Sequence, residues 1–317
     1  VFELPALEPS AAGGHLLAVN AVAVSPDGKT VATAGKDQTI RLWDAATGRA
    51  VGTLIGNADV PFALTFVGKD ALALGVGLPT RDAGRLHFWT TTPGQLLKSV
   101  PTGEVYAVAA NPDGTKVAAW ASREAVGEVK NNAYEVYDAK GNLLGSLPDK
   151  GREVRAATFT PDLAWAVAGD SQGTIRIWDL EKKDRVGADW PILVNAVADL
   201  GVTPDKKFLV AADDRGLLKV ADVGRREVLG SVTPHKAGIR SLLVSPTGAT
   251  FVTIGNDREV KAWSLAPGAL KEPKEVRAWA LPVGVNGAAF TPDGKHLVTA
   301  NADGTVYVLE LPGGNEG

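Results

Sequence analysis

The chain has 317 residues, with 33 Lys and Arg against 36 Asp and Glu, and 45% of its residues are hydrophobic. That balance excludes a disordered chain and argues against a general binder of phosphate backbones, which needs a clustered basic excess. Cysteine is absent, so disulfides, thiolate metal sites and cysteine nucleophiles are excluded, and no apolar run approaches the roughly 20 residues of a membrane-spanning helix.

In chain order, a short alternating stretch around Val22 and Val24 is followed by Ser25-Pro-Asp-Gly28, then by a second apolar stretch at Val31–Ala34. The period of two predicts half-buried strands, and Pro-Asp-Gly suits the hairpin between them. A polar turn and a third strand, TIRLWD, follow, ending at Trp43–Asp44, with DAATG predicting another turn before a fourth strand. The same phrasing returns along the chain. Prolines of the turn phrase stand at 26, 112, 161, 204, 246 and 292, separated by 86, 49, 43, 42 and 46 residues, the first gap being two periods. TIRIWD at Trp178–Asp179, LHFW at Trp89, YEVYD at Tyr137–Asp138, LKVAD at Asp222, VKAW at Trp263 and VYVL at Leu309 mark the third strand elsewhere. Seven four-stranded units of about 45 residues are expected, near 15–54, 56–100, 102–147, 149–190, 191–232, 234–279 and 281–311, as one domain over 1–317. No capped 3.6-residue pattern occurs, so long helices are not expected. The last unit lacks a fourth strand, and residues 1–7 (VFELPAL) are unassigned; the expectation is that they complete the last blade and leave no open edge there.

On these landmarks the chain resembles the WD-repeat β-propellers, and the resemblance covers its whole length. It implies an all-β, seven-bladed propeller with four-stranded antiparallel blades. Unit one carries Gly14–His15, Thr33, Asp37 and Trp43, and unit six carries His235, Thr253, Asp257 and Trp263. Hydroxyl, imidazole and carboxylate invite comparison with a hydrolase triad. The resemblance implies instead a buried structural network, running from indole to hydroxyl to imidazole to carboxylate. Elsewhere the set decays: unit seven keeps Thr299 and Asp303, unit four keeps Trp178 but has Ala168 and Gln172 in the other places, and units two, three and five lack it.

No catalytic residue, metal site or cofactor is expected. His87 and His296 have no acidic ligand spacing around them, DSQG at Asp170 and DDRG at Asp213 lack a calcium-loop spacing, and no phosphate-loop, GxGxxG or GxSxG motif occurs. In this family, partners meet the face at the start of the inner strands. Aligned to Asn20, those positions read Asn20, Phe62, Tyr106, Arg155, Ala198, Arg240 and Asn286, with Lys36 and Asn256 on the same face. Phe, Tyr and Arg are the side chains that anchor interfaces. Two long turns, 78–84 and 122–132, are placed on that rim. The expected function is therefore a non-enzymatic scaffold, monomeric, for a protein, a peptide or a covalently linked domain of the parent chain. No nucleic acid or membrane is expected as partner. The missing methionine fits excision from a larger multidomain protein, and the Ala-, Gly- and Val-rich composition has a bacterial character. The alternative is a propeller hydrolase or lactonase with its site over the channel; it needs convergent acids, histidines or a metal, and the aligned positions hold no carboxylate.

Overall fold

A strand with one apolar face needs a second layer to cover it, and short repeated hairpins meet that need by stacking sheet on sheet. The computed structural model describes residues 2–3, 14–55, 60–77, 84–123, 131–149 and 153–312, and the chain is a seven-bladed β-propeller of four-stranded antiparallel blades. It divides into two compact units, residues 1–150 with 285–310, and residues 151–284 with 311–317. The first unit holds blades 1, 2, 3 and 7. Blade 1 is Val19–Val24, Thr30–Gly35, Thr39–Asp44 and Ala50–Ile55; blade 2 is Val60–Val67, Ala71–Gly77, Arg85–Thr90 and Leu96–Pro101. Blade 3 is Glu104–Ala110, Lys116–Arg123, Asn131–Asp138 and Leu143–Asp149. Blade 7 takes Val285–Phe290, His296–Asn301 and Val306–Glu310 from the end of the chain and Phe2–Glu3 from its start, with Phe2 opposite Val308 and Glu3 opposite Tyr307.

The second unit holds blades 4, 5 and 6, whose inner strands are Val154–Phe159, Val197–Val202 and Ile239–Val244. Blade 4 departs from the expected four continuous strands. Two short pieces, Asp184–Arg185 and Trp190–Pro191, share the outer edge of Thr174–Asp179. Between them Gly187 has a positive φ, and Arg226 donates to the Ala188 carbonyl at 2.6 Å while lying 5.0 Å over the Trp190 ring. The guanidinium thus takes up a backbone acceptor that a regular outer strand would have paired.

The cores lie between neighbouring blades. In the first unit Leu42, Leu54, Phe66, Leu72, Leu74 and Trp89 join blades 1 and 2, and Phe88, Val105, Val117 and Tyr137 join blades 2 and 3. In the second, Trp190, Leu200 and Leu209 cluster between blades 4 and 5. The second strands are buried on both faces, which is why they read as near-continuous apolar runs.

The recurring turn phrase is held by its first residue as much as by its proline. The Ser25 hydroxyl donates to Asp27 at 2.6 Å and accepts the Thr30 amide at 2.9 Å. Thr160, Thr203 and Thr291 repeat both bonds. That local cage is strong enough to hold Leu163 (φ 53°) and Lys206 (φ 64°) in the left-handed region where other blades use glycine. The Asp after Trp43 caps the next turn, with Asp44 accepting the Ala46 and Thr47 amides. Among the described residues the single helical segment is a 3-10 turn at Pro267–Ala269, and no helix is long and apolar enough to cross a membrane.

Candidate functional site

The His, Thr, Asp and Trp set forms one bonded chain in blade 1. Trp43 Nε1 donates to Thr33 Oγ1 at 2.8 Å, the Thr33 hydroxyl lies 2.8 Å from His15 Nε2, and His15 Nδ1 lies 2.9 Å from Asp37. Blade 6 repeats it with Trp263, Thr253, His235 and Asp257 at 3.0, 2.8 and 3.0 Å. The carboxylate requires the proton on Nδ1, which leaves Nε2 to accept from the threonine. Every polar atom in the chain is then used. Thr33 and Thr253 are fully buried, so the hydroxyl that a hydrolase would offer to substrate is sealed beneath an indole. Burial outweighs the aspartate and lowers the pKa of His15, and the same balance lowers His235. Burial alone would raise Asp37, but bonds from His15, the Leu16 amide and Thr39 offset it and hold that carboxyl below its ordinary value. Gly35 makes the fit possible: a Cβ there would stand 2.5 Å from His15 Nδ1 and 2.7 Å from the Asp37 carboxylate. The carboxylate Glu259 joins His235 and Asp257 within 4.8 Å in blade 6, but His235 already spends both its nitrogens on Asp257 and Thr253.

Where the set is absent, other polar groups are buried. Blade 3 has Tyr137 donating to Glu135 at 2.5 Å, and blade 4 has the ion pair Arg176–Asp170 at 3.1 Å. Blade 2 has no substitute at its tryptophan: Leu74 occupies the place of Thr33, and among the described residues the buried Trp89 Nε1 finds no acceptor.

The inner strands share a second feature. In all seven blades the ladder with the second strand slips by one residue, and the residue skipped is Asn20, Phe62, Tyr106, Arg155, Ala198, Arg240 or Asn286. A β-bulge re-aims the side chain it carries, freeing it from the alternation of the pleat. What the bulge residues do differs between blades. Asn286 donates to the Val19 carbonyl at 2.9 Å and Asn20 to the Pro61 carbonyl at 3.3 Å, so these two amides tie each inner strand to the next. Phe62 and Tyr106, by contrast, are 40% and 46% exposed, with ring centroids 5.4 Å apart. Tyr106 in turn lies 5.6 Å from the buried Trp120, and its hydroxyl donates to Glu104. Burial and that carboxylate push the Tyr106 phenol up, so it stays protonated. Gly77 lets the Phe62 ring approach the end of its neighbouring strand, since a Cβ there would come within 2.3 Å of the ring.

In the second unit Arg155 is exposed and pairs with Glu153 at 3.3 Å, and Arg240 is exposed. Lys36 and Asn256 are exposed at the turns after the second strands of blades 1 and 6, where Asn256 donates to the Ala237 carbonyl at 3.2 Å. The long turns expected on the rim lie largely outside the described residues, at 78–83 and 124–130. Trp120 and Gly77 escape sequence reasoning; a glycine closing an apolar strand beside a bulged aromatic was the available signal.

Four stretches, residues 10–44, 141–179, 226–264 and 279–309, match the WD domain, G-beta repeat family. The chain is similar to Protein ROOT INITIATION DEFECTIVE 3 of Arabidopsis thaliana, 29% identical over 151 residues, which is 47% of this chain and 33% of that protein. Autophagy-related protein 16 of Arabidopsis thaliana is 25% identical over 181 residues, 53% of this chain and 32% of that protein. An uncharacterized WD repeat-containing protein of Synechocystis is 30% identical over 171 residues, 52% of this chain and 46% of that protein. The matches thus span a third to just under half of each of these relatives.

Proposed function

The chain belongs to the WD-repeat family, and from that premise we propose that it is a non-enzymatic platform for a protein or peptide partner, gripped at the bulged starts of its inner strands. One observation carries the reading: Phe62 and Tyr106, on adjacent blades of one unit, expose two large rings that are pre-positioned by Gly77 and Trp120. Aromatic side chains already fixed in place bury much area on binding and lose little conformational freedom, which is what interface anchors require. The sealed hydroxyls of blades 1 and 6 favour a structural over a hydrolytic role for the His, Thr, Asp and Trp sets. Arg155, Arg240, Lys36 and Asn256 are proposed to supply polar contacts from their own blades, with Asn20 and Asn286 holding the strands in place. A bacterial source and attachment to a larger parent chain remain part of the proposal; the relatives include a Synechocystis protein but are mostly eukaryotic.

The test places a photo-crosslinking phenylalanine at position 106 and, as control, at the exposed outer-strand position 143. Partner adducts at 106 and none at 143, lost on Phe62→Ala with the far-ultraviolet spectrum unchanged, are expected. Equal adducts at both positions, or adducts indifferent to Phe62→Ala, reject the rim as the binding surface.

A further inference from the structure

In the second unit the inner strands of blades 4, 5 and 6 line an open cavity of about 410 Å³. Its wall is apolar for the most part, with Phe159, Leu200, Val202 and Leu243 prominent, and Asp199 is the one ionisable residue in the lining. The Asp199 carboxylate accepts three hydrogen bonds: the Leu242 amide at 2.7 Å, the Leu200 amide at 2.8 Å and the Ser241 hydroxyl at 3.0 Å. All three donors are neutral. Among the described residues no cation bonds it, in contrast to Asp170 of the same unit, whose charge is met by Arg176. Burial pushes the Asp199 pKa up to about 6, the three donors opposing it. Near neutral pH the group is therefore a half-buried anion without a counter-charge, which a cation in the cavity would offset.

The geometry limits which cation. A carboxylate offers about four acceptor positions, and three are filled, so one remains. A guanidinium engages carboxylates best through two parallel bonds and is poorly served by one position. Calcium requires six to eight oxygen ligands, and the wall offers one carboxylate and a few hydroxyls and carbonyls. An ammonium is a compact charge satisfied by one strong acceptor, with the Ser241 hydroxyl beside that carboxylate and Thr158 elsewhere in the lining, and its alkyl stem suits the apolar wall. We propose that this cavity binds the ammonium group of a primary alkylamine, with Asp199 as the counter-ion and the stem against Phe159 and Leu243. The group can arrive as a free amine or as a lysine side chain.

The test uses the whole chain with n-propylamine hydrochloride as probe, n-propanol as its neutral counterpart, and an acetylated, amidated Gly-Lys-Gly peptide. Binding is followed by the amide resonances of Leu200 and Leu242, which report directly on the carboxylate. Expected is saturable movement of both resonances with propylammonium, at least tenfold weaker response to propanol, and at least tenfold weaker propylammonium binding by Asp199→Asn. Glu227→Gln, which neutralises an exposed carboxylate outside the cavity, should retain binding within a few fold. Saturation by the peptide as well assigns the site to lysine side chains, whereas saturation by propylammonium alone assigns it to small amines. Equal response to propanol, no saturation by either amine, or unchanged binding in a folded Asp199→Asn protein overturns the proposal. The comparison of propylammonium with propanol on the unaltered chain decides the matter even where the variant does not fold.

Discussion

Two tryptophans at the same place in neighbouring blades of one unit make a controlled comparison. Trp43 and Trp89 are 5% and 3% exposed, and each is the penultimate residue of the third strand of its blade. Trp43 donates to Thr33 at 2.8 Å, and Trp89 donates to nothing among the described residues. Replacing either by Phe removes a similar volume from a similar core, so the packing loss largely cancels between the two variants. The polar contributions then have opposite sign. Trp43→Phe loses a hydrogen bond with a net contribution of about 1 kcal/mol and leaves a lone pair of Thr33 unfilled. Trp89→Phe removes an unsatisfied buried donor and so recovers about 1–3 kcal/mol. Trp43→Phe is therefore expected to be more destabilising than Trp89→Phe by about 2–4 kcal/mol, and by about 1–3 kcal/mol in its own right. Guanidinium unfolding of both variants beside the parent, compared at equal m, measures this difference. Two variants agreeing within about 0.5 kcal/mol would refute the view that the indole bond to the threonine stabilises the blade.

Deleting residues 1–10 removes the strand paired with Val308 and Tyr307 and exposes the edge of Val306–Glu310. Lower thermal stability and concentration-dependent association by light scattering are expected, and an unchanged, monodisperse protein would count against the closure. Acid should act on the network through histidine. The pKa values of His15 and His235 are lowered, so below the ordinary 6.5 the unfolded chain takes up protons that the folded one refuses. Their contribution is thus complete above 6.5 and falls as pH drops; His15→Gln should flatten that limb of the stability profile, and an unaltered limb contradicts the assignment. Asp199 acts in the other direction. With its pKa raised from 3.8 to about 6, the folded state holds a proton that the unfolded state releases, so its contribution grows as pH falls from 6 to 3.8. Asp199→Asn should shift stability relative to the parent by up to about 3 kcal/mol between pH 7.5 and pH 3.5, and a constant difference would show that the group does not titrate there.

The fold was legible in the sequence because its signals are local and repeat. Ser25-Pro-Asp-Gly28 closes a hairpin with atoms that lie within five residues of one another, and Asp44 caps its turn with the next three. Six turn phrases and seven third-strand endings at near-constant spacing fix strand count, order and blade number without reference to distant contacts. The His15, Thr33, Asp37 and Trp43 set was legible for a related reason, since its members keep constant spacing within one repeat unit. Contacts across blades carry no such spacing. That Asn20 and Asn286 spend their amides on a neighbouring strand while Phe62 stacks on Tyr106 depends on residues about 40 to 270 positions apart. Asp199 is an ordinary strand residue by sequence; only the packing of blade 6 against blade 5 brings the Ser241 hydroxyl and Leu242 amide to it and places it in the wall of a cavity. Local hydrogen bonds and alternation determine what each blade is, and the burial that sets the character of individual side chains arises only when one blade covers the next.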